Sequence, residues 1–517
     1  MRQKGQPPST GILPQYIGWE GFTIRSSGIL MHISSLPSPY GIGTFGKAAT
    51  DFVDFLADSG QSYWQILPIG PTGYGDSPYQ SFSTFAGNPY FVDLDLLCDE
   101  GLLNKKDIAA LDWGSNPARV DYGKLYENRF CVLRAAYERR GNAYTQDFCE
   151  FTAKNACWLE DYALYMALKF HFGGKPWPEW EDDIRLREPV ALCRYSSLLH
   201  NDIDFWRFVQ YLFFTQWDKL KCYANQKGIS IIGDVPIYVA YDSADVWANP
   251  SLFVLDENLL PTVVAGCPPD AFSETGQLWG NPIYRWDEMK KDGYAWWMQR
   301  IDSATTIADV VRIDHFRGFD SYYEIPAADK TAENGVWRQG PGFDFFQTLR
   351  KTLGKRNIIA EDLGLLTDSV RKLLKKVGYP GMKVLQFAFD SMEESDYLPH
   401  NYEKNCVVYT GTHDNDTVCG WFLKAPRADV RFCKRYLGIR RNDPRGMSLI
   451  RAAWASVADT AIAPMQDFSE LGGEARMNTP STLGGNWQWR ALPNRFTSGL
   501  RRDILALTKL YGRWCQR

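Results

Sequence analysis

The stretch V-V-R-I-D-H-F-R-G-F, residues 310–319, ends an apolar run in a cluster of charge. Ile307, Val310, Val311 and Ile313 read as a strand buried in a parallel sheet. Arg312, Asp314, His315 and Arg317 crowd its C-terminal end. Burying a carboxylate is costly unless it is paired. An arginine two residues earlier points to the same side of a strand and keeps Asp314 ionised, as a nucleophilic or charge-stabilising aspartate requires. A structural ion pair satisfies the same pattern, so this patch alone leaves both readings open.

Three further apolar runs end in the same way. I-S-I-I-G-D-V-P closes on Asp234, I-I-A-E-D-L-G on Glu361 and Asp362, and V-V-Y-T-G-T-H-D-N-D on His413, Asp414 and Asp416. Buried strands that all terminate in acids place a carboxylate cluster at one edge of a parallel sheet. Ligands and catalytic groups gather at that edge in α/β folds. The pattern predicts an enzyme.

Eight candidate strands can be read from the chain: 28–33, 62–69, 229–237, 307–314, 357–361, 382–389, 405–410 and 459–465. Helical stripes fall between several of them. Ala49, Phe52, Val53 and Leu56 form one, and Trp206, Val209, Phe213, Trp217 and Leu220 another, stopped by Gly228. Thr367 is placed to cap a helix with Val370, Leu373, Leu374 and Val377 inward and Gly378 at its end. Ser448 is placed to cap one with Ile450, Ala453, Trp454 and Val457 inward. Strand–helix alternation with eight strands predicts an α/β fold, a (β/α)8 barrel. Residues 95–200 are too long for a plain connection and carry helical patterns, so they read as an inserted, mostly helical subdomain. The expected organisation is an N-terminal arm, 1–27, and a catalytic barrel, 28–94 and 201–517, around that insertion.

Lys plus Arg is 57 and Asp plus Glu 61, a formal charge of −4, which gives no electrostatic case for nucleic acid or an anionic membrane. No apolar stretch approaches the roughly 20 residues of a membrane span, and the first residues lack a secretory h-region. Eleven scattered cysteines without a C-x-x-C pair read as free thiols in a reducing compartment, so a cytoplasmic setting is expected, or a plastid if the chain is processed. Six separated histidines include no H-x-H or H-E-x-x-H, so no histidine-rich metal site is expected, which leaves a carboxylate site open.

Two loops, 70–90 and 265–282, fall on the predicted catalytic face, and neither contains a phosphate-cradling glycine motif. They carry aromatic residues, whose flat faces suit sugar rings. Glycosidic chemistry needs one ionised carboxylate and one protonated acid with pKa values pushed apart. Asp314, beside Arg312, suits the first role. Glu361, on the next strand, suits the acid/base role. Asp414 is placed either to stabilise oxocarbenium-like charge or to bind sugar hydroxyls, with His413 bonding the same ring.

R-I-D-H, A-E-D-L-G and T-H-D-N, together with D-V-P-I-Y-V-A and D-V-W-A-N-P, resemble the conserved regions of the 4-α-glucanotransferases, also called amylomaltases or disproportionating enzymes, glycoside hydrolase family 77. The loop runs G-P-T-G-Y-G-D-S-P-Y-Q-S-F-S and P-P-D-A-F-S-E-T-G-Q-L-W-G-N-P resemble signatures of that family, and the likeness extends from Gly28 to Arg490. It implies retaining transfer of α-1,4-glucan segments to a glucose or maltooligosaccharide acceptor, without metal or organic cofactor and without an obligatory protein partner. It also implies that Asp314 is the nucleophile, Glu361 the acid/base and Asp414 the transition-state stabiliser. Arg312, His413 and Asp234 would line the donor site, with Tyr79 an aromatic platform beside it. Tyr74 would serve a second glucan site, and Asp270 and Trp279 a loop over the acceptor side. Cys267 has no assigned role.

Plainer roles stand beside these: a rim hydrogen bond for Asp234, a structural imidazole for His413, and loop packing for Tyr74 and Trp279. A hydrolase or branching enzyme of the α-amylase group shares the three acids, and only the loop signatures favour transfer. A glucan-binding barrel without turnover is disfavoured by the presence of all three acids, and a metal-dependent amidohydrolase barrel by the lack of H-x-H.

Overall fold

The computed structural model describes residues 25–73, 75–140, 145–269, 273–364 and 366–514. Every acid-terminated apolar run forms a strand. In chain order the strands are β1 (Ser26–Leu30), β2 (Tyr63–Gln65), β3 (Ser230–Pro236), β4 (Val263–Cys267), β5 (Gln277–Pro282), β6 (Val310–Asp314), β7 (Ser321–Pro326), β8 (Val336–Gln339), β9 (Ile358–Ala360), β10 (Gly381–Val384), β11 (Cys406–Tyr409) and β12 (Thr460–Pro464). Eight of them form one all-parallel sheet in the order β10-β11-β12-β1-β2-β3-β6-β9. The Ala360 N–H donates to the Pro380 carbonyl at 3.0 Å, which brings the two outer strands together and nearly closes the barrel.

These are the eight strands expected from the sequence, most of them shorter than their apolar runs. β2 keeps only three residues, yet Ile66, Leu67 and Ile69 beyond it are buried. β10 stops at Val384, and Leu385–Phe387 turn into a 3-10 helix. β1 begins earlier than expected, because Ser26 and Ser27 pair with Thr460 and Ala461 of β12. Apolar runs overshoot because the loops at the barrel mouth are buried as well. Inside, side chains from non-adjacent strands meet across the lumen. Tyr409 Oη donates to Gln65 Oε1 at 2.9 Å, and Arg312 Nε to Met382 Sδ at 3.3 Å.

The helices cover the outside. Lys47–Asp58 buries Ala49, Phe52, Val53 and Leu56 as its spacing predicts. Asp368–Val377 ends at Gly378, which adopts φ +77°, a left-handed stop that suits glycine. Its Thr367 occupies the N-cap position, but its hydroxyl bonds Ser369 Oγ at 2.9 Å and leaves the backbone uncapped by that side chain. The Ser448 expectation is corrected. The helix runs Arg445–Ala455 from Pro444, and Ser448 lies one turn inside, donating to the Pro444 carbonyl at 2.6 Å. Val457, expected inward, lies past that helix and is 48% exposed.

Between β2 and β3 the chain forms helices Tyr122–Arg139, Gln146–His171 and Pro189–Leu198, and returns along His200–Gln226. Two buried glutamines on that last helix fasten the incoming chain. Gln210 exchanges bonds with the backbone of Gly87 (2.7 and 2.9 Å), and Gln216 with that of Asp93 (2.6 and 3.2 Å). Each amide satisfies one N–H and one carbonyl that burial would otherwise leave unpaired.

The expectation that 265–282 is a loop is also corrected. β4 and β5 pair antiparallel and, with β7 and β8, make a second sheet in the order β5-β4-β7-β8. Gly and Pro on either side obscure β4, and in β5 the residues 277–280 alternate between half-buried and exposed, an edge pattern rather than a core one.

Candidate active site

The strand register assembles the charged cluster. Asp234 on β3 lies directly opposite Arg312 on β6, and Pro236 opposite Asp314. Alternation sends Arg312 and Asp314 to the same face of β6. Arg312 Nη1 donates to both Asp234 oxygens at 2.8 and 2.6 Å, and Nη2 reaches Asp314 Oδ1 at 2.8 Å. The Arg312 and Asp234 side chains are 4% and 0% exposed, whereas that of Asp314 is 30% exposed. One guanidinium thus ties a fully buried carboxylate to one that faces the cleft. Burial opposes the Arg312 charge, but Asp234 and Asp314 outweigh it and raise its pKa further.

Tyr79 Oη donates to Asp234 Oδ2 at 2.7 Å, and its ring stacks on the His413 imidazole at 5.0 Å. His413 is buried, and its Nε2 lies 3.4 Å from Asp414 Oδ2. The structure therefore brings Tyr79, Asp234, Arg312, Asp314, His413 and Asp414 into one connected group.

Glu361 follows β9, beside β6, and its carboxylate accepts two backbone N–H bonds, from His315 at 2.6 Å and Leu363 at 2.7 Å. Burial, and after it the Asp314 charge, push its carboxyl up to about 7, against Arg312 and the two N–H donors. Two acids on adjacent strand ends therefore face different environments, which is what an acid/base pair needs. His315, which supplies one of those N–H groups, sits in the left-handed region at φ +54°. Such a conformation in a residue with a large side chain is a strained feature found at functional sites. Burial lowers its imidazole to about 4, so it is neutral at ordinary pH.

Trp279 on β5 meets the His315 ring edge-on at 4.9 Å, and its Nε1 donates to Gln277 Oε1 at 3.1 Å. The antiparallel sheet thereby reaches the acid-lined edge of the barrel. Tyr74 and Asp270 lie outside the described residues. Among the described residues no cluster of three or more His, Cys, Asp or Glu side chains is arranged to hold a metal ion.

Residue patterns missed several partners. Asn478 Nδ2 donates to Asp414 Oδ1 at 2.6 Å, and Arg476 Nη2 to the Asp414 carbonyl at 2.6 Å. Both lie in an irregular segment with no periodicity to mark it. Trp487, at φ +63°, lies against both Tyr79 and His413, with ring centroids 5.8 Å from each. It stands in the N-W-x-W-R run, residues 486–490, where the family likeness ends. His32 is held neutral by burial, its pKa lowered to about 3, and its Nδ1 accepts the Leu67 N–H at 3.3 Å.

Comparison with known proteins places this arrangement. The family model for 4-alpha-glucanotransferase matches residues 31–494. A 4-alpha-glucanotransferase of Clostridium butyricum is 51% identical over 93% of this chain and 100% of its own length. The chloroplastic/amyloplastic 4-alpha-glucanotransferase of Solanum tuberosum is 42% identical over 95% of this chain and 86% of its own. Among solved structures, the amylomaltase of Streptococcus agalactiae in complex with acarbose superposes with a TM-score of 0.93 at 44% identity, covering 95% of this chain and 100% of that one. With its eight-stranded barrel, helical insertion and acid-lined mouth, the chain belongs to the 4-α-glucanotransferase family, the amylomaltases that act on α-1,4-glucans.

Proposed function

We propose that the chain transfers α-1,4-glucan segments by a retaining double displacement in which Asp314 is the nucleophile and Glu361 the acid/base. Asp314 attacks the anomeric carbon while protonated Glu361 gives its proton to the departing glycosidic oxygen, leaving a glycosyl ester on Asp314 and an ionised Glu361. The acceptor's 4-OH then passes its proton to Glu361 as its oxygen attacks the anomeric carbon, and the ester bond to Asp314 breaks. Glucose or a maltooligosaccharide serves as acceptor. Asp414 stabilises the oxocarbenium-like charge. Asp234, Arg312, His413 and Tyr79 hold the donor sugar, and Trp279 meets the acceptor. Tyr74 and Asp270 keep the roles that family likeness suggests, a second glucan site and the acceptor loop.

The observation that carries this reading is the contrast between the two acids. Asp314 is ion-paired to Arg312 at 2.8 Å, while burial and the Asp314 charge push Glu361 up to about 7. That the Streptococcus agalactiae relative was solved in complex with acarbose supports an α-glucan-like ligand for this chain. Ten described cysteines without a disulfide agree with a cytoplasmic setting. Pure protein incubated with maltotriose is expected to yield glucose and a ladder of longer chains. Glucose and maltose alone would mean hydrolysis and overturn the transfer reading.

A further inference from the structure

Residues 411–417, which carry His413 and Asp414, join β11 to the helix Val418–Lys424. A small cavity of about 20 Å³ lies against this loop, lined by His32, His413, Asn415, Asp416 and Asp467 among others. Close packing therefore does not underlie the whole loop; Arg476, Asn478 and Gln386 bond its middle, at Asp414 and Asp416, and its ends are held separately. Both ends are held by one side chain. Asp467 Oδ2 accepts the Thr410 hydroxyl at 2.6 Å, immediately before the loop, and Oδ1 accepts the Val418 N–H at 2.8 Å, immediately after it. Asp467 is 1% exposed and sits on the short helix Met465–Phe468 that follows β12. Its backbone lies close against the helix Arg445–Ala455, where a Cβ on Gly446 would fall 2.1 Å from the Asp467 carbonyl oxygen.

We propose that Asp467 is a positioning residue for the transfer reaction, its carboxylate bracing both ends of the 411–417 loop and so setting where His413 and Asp414 meet the reacting sugar. A buried carboxyl is an expensive way to fill a core position. Burial pushes this one up to about 7, with Glu470 and Asp416 nearby adding to the rise and the two donors opposing it. A role in mere packing would be served better by an apolar side chain. A brace needs two acceptor atoms with fixed spacing. The inference rests on the role proposed above for Asp414.

The test is steady-state transfer from maltotriose by variants of the full chain. Asp467→Ala releases both ends, and a shift of the loop by about 1 Å is expected to lower kcat roughly 10²-fold, with KM close to wild type. Asp467→Asn is expected to recover most of that loss. Its amide oxygen still accepts from Val418, and its NH2 donates to a reversed Thr410 hydroxyl. Thr410→Val removes one arm, lowers kcat by less, and adds no further loss in the Asp467→Ala background. Arg513→Ala is the control for plain destabilisation, since Arg513 bonds the carbonyls of Ser26, Ala458 and Asp459 at the opposite end of the barrel. It is expected to lower the unfolding midpoint while keeping kcat.

Wild-type kcat in Asp467→Ala overturns the brace, as does a matching kcat loss in Arg513→Ala at equal stability or a failure of Asn to rescue. Should Asp467→Ala not fold, Thr410→Val decides, and wild-type kcat there overturns the proposal. Asp414→Asn separates the two levels. If it remains active, the reading of Asp414 fails. If it is inactive while Asp467→Ala turns over normally, only the brace fails.

Discussion

On one side of Asp314, Arg312 and Asp234 are bonded across neighbouring barrel strands with side chains 4% and 0% exposed. On the other, Trp279 rides on β5, in which residues 277–280 alternate between half-buried and exposed. The first region is a parallel interior where every charge has a strand-fixed partner. The second is the edge of an antiparallel sheet, its Trp279 touching the end of β6 through the His315 ring at 4.9 Å. The proposed reaction accounts for the difference. In it, charge would develop at the donor sugar, and fixed dipoles and ions stabilise such charge best when they need no rearrangement. An acceptor side would have to admit one sugar, exclude water and release another, and an edge element moves at lower cost than a barrel strand.

The largest effect that would break this contrast is at the nucleophile. Asp314→Asn is expected to lower transfer by roughly 10⁴-fold or more while the protein folds and still binds maltooligosaccharide. Substantial turnover in rigorously purified protein would remove Asp314 from its role. Glu361→Gln is expected to cost about 10²–10⁴-fold with maltotriose. Far less should be lost with a glycosyl fluoride, whose leaving group needs little protonation, and a glycosyl adduct on Asp314 should accumulate. Mass spectrometry that locates the adduct elsewhere would refute the pairing.

The rigid side makes a stability prediction as well. Arg312→Gln leaves Asp234 and Asp314 without their cation, and breaking a buried pair in this way costs about 3–5 kcal/mol. Urea unfolding would measure it, and a loss no larger than that of an exposed pair such as Lys47–Asp51 would deny that the donor side is held by charge. The pH profile tests the acid. Glu361 must be protonated to give its proton away, and its pKa is raised to about 7. kcat/KM should therefore hold below that value and fall about tenfold per pH unit well above it. The fall should flatten with the fluoride donor. Because Asp314 contributes to the shift, the limb reports the pair of acids rather than one of them.

The barrel half was far more legible in the sequence than the antiparallel-sheet half, for a physical reason. Barrel strands such as β3 and β6 are buried on both faces, so they read as unbroken apolar runs, and their terminal acids stand out by contrast. Two-residue alternation then places Arg312 and Asp314 on one face without further information. β4 and β5 bury only part of their surface, and their polar positions and flanking Gly and Pro disguise strand as loop. Asn478, Arg476 and Asp467 reach residues 410–418 from segments distant in sequence, and nothing local distinguishes such a side chain. Ser448 shows the opposite error. A residue type favoured at caps was read as one, although Pro444 already starts that helix.

The smallest expected effect bears most directly on the comparison. Trp279 offers a broad apolar face beside His315, and an acceptor sugar laid on it would be held while water, which gains nothing from stacking, would not. Removing the ring by Trp279→Ala should forfeit about 0.5–1.5 kcal/mol of aromatic contact, which lowers transfer roughly two- to tenfold and leaves cleavage of the donor nearly intact. Free glucose and the chain-length distribution, followed in a single maltotriose reaction, report the two outcomes together. The ratio of new reducing ends to lengthened chains should rise. If Trp279 only anchors β5 against the barrel, its loss loosens the whole edge, both activities fall in step and the ratio stays where it was. An unchanged ratio would therefore assign the acceptor side's selectivity to the fixed barrel rim and remove the division of labour between the two halves of the cleft.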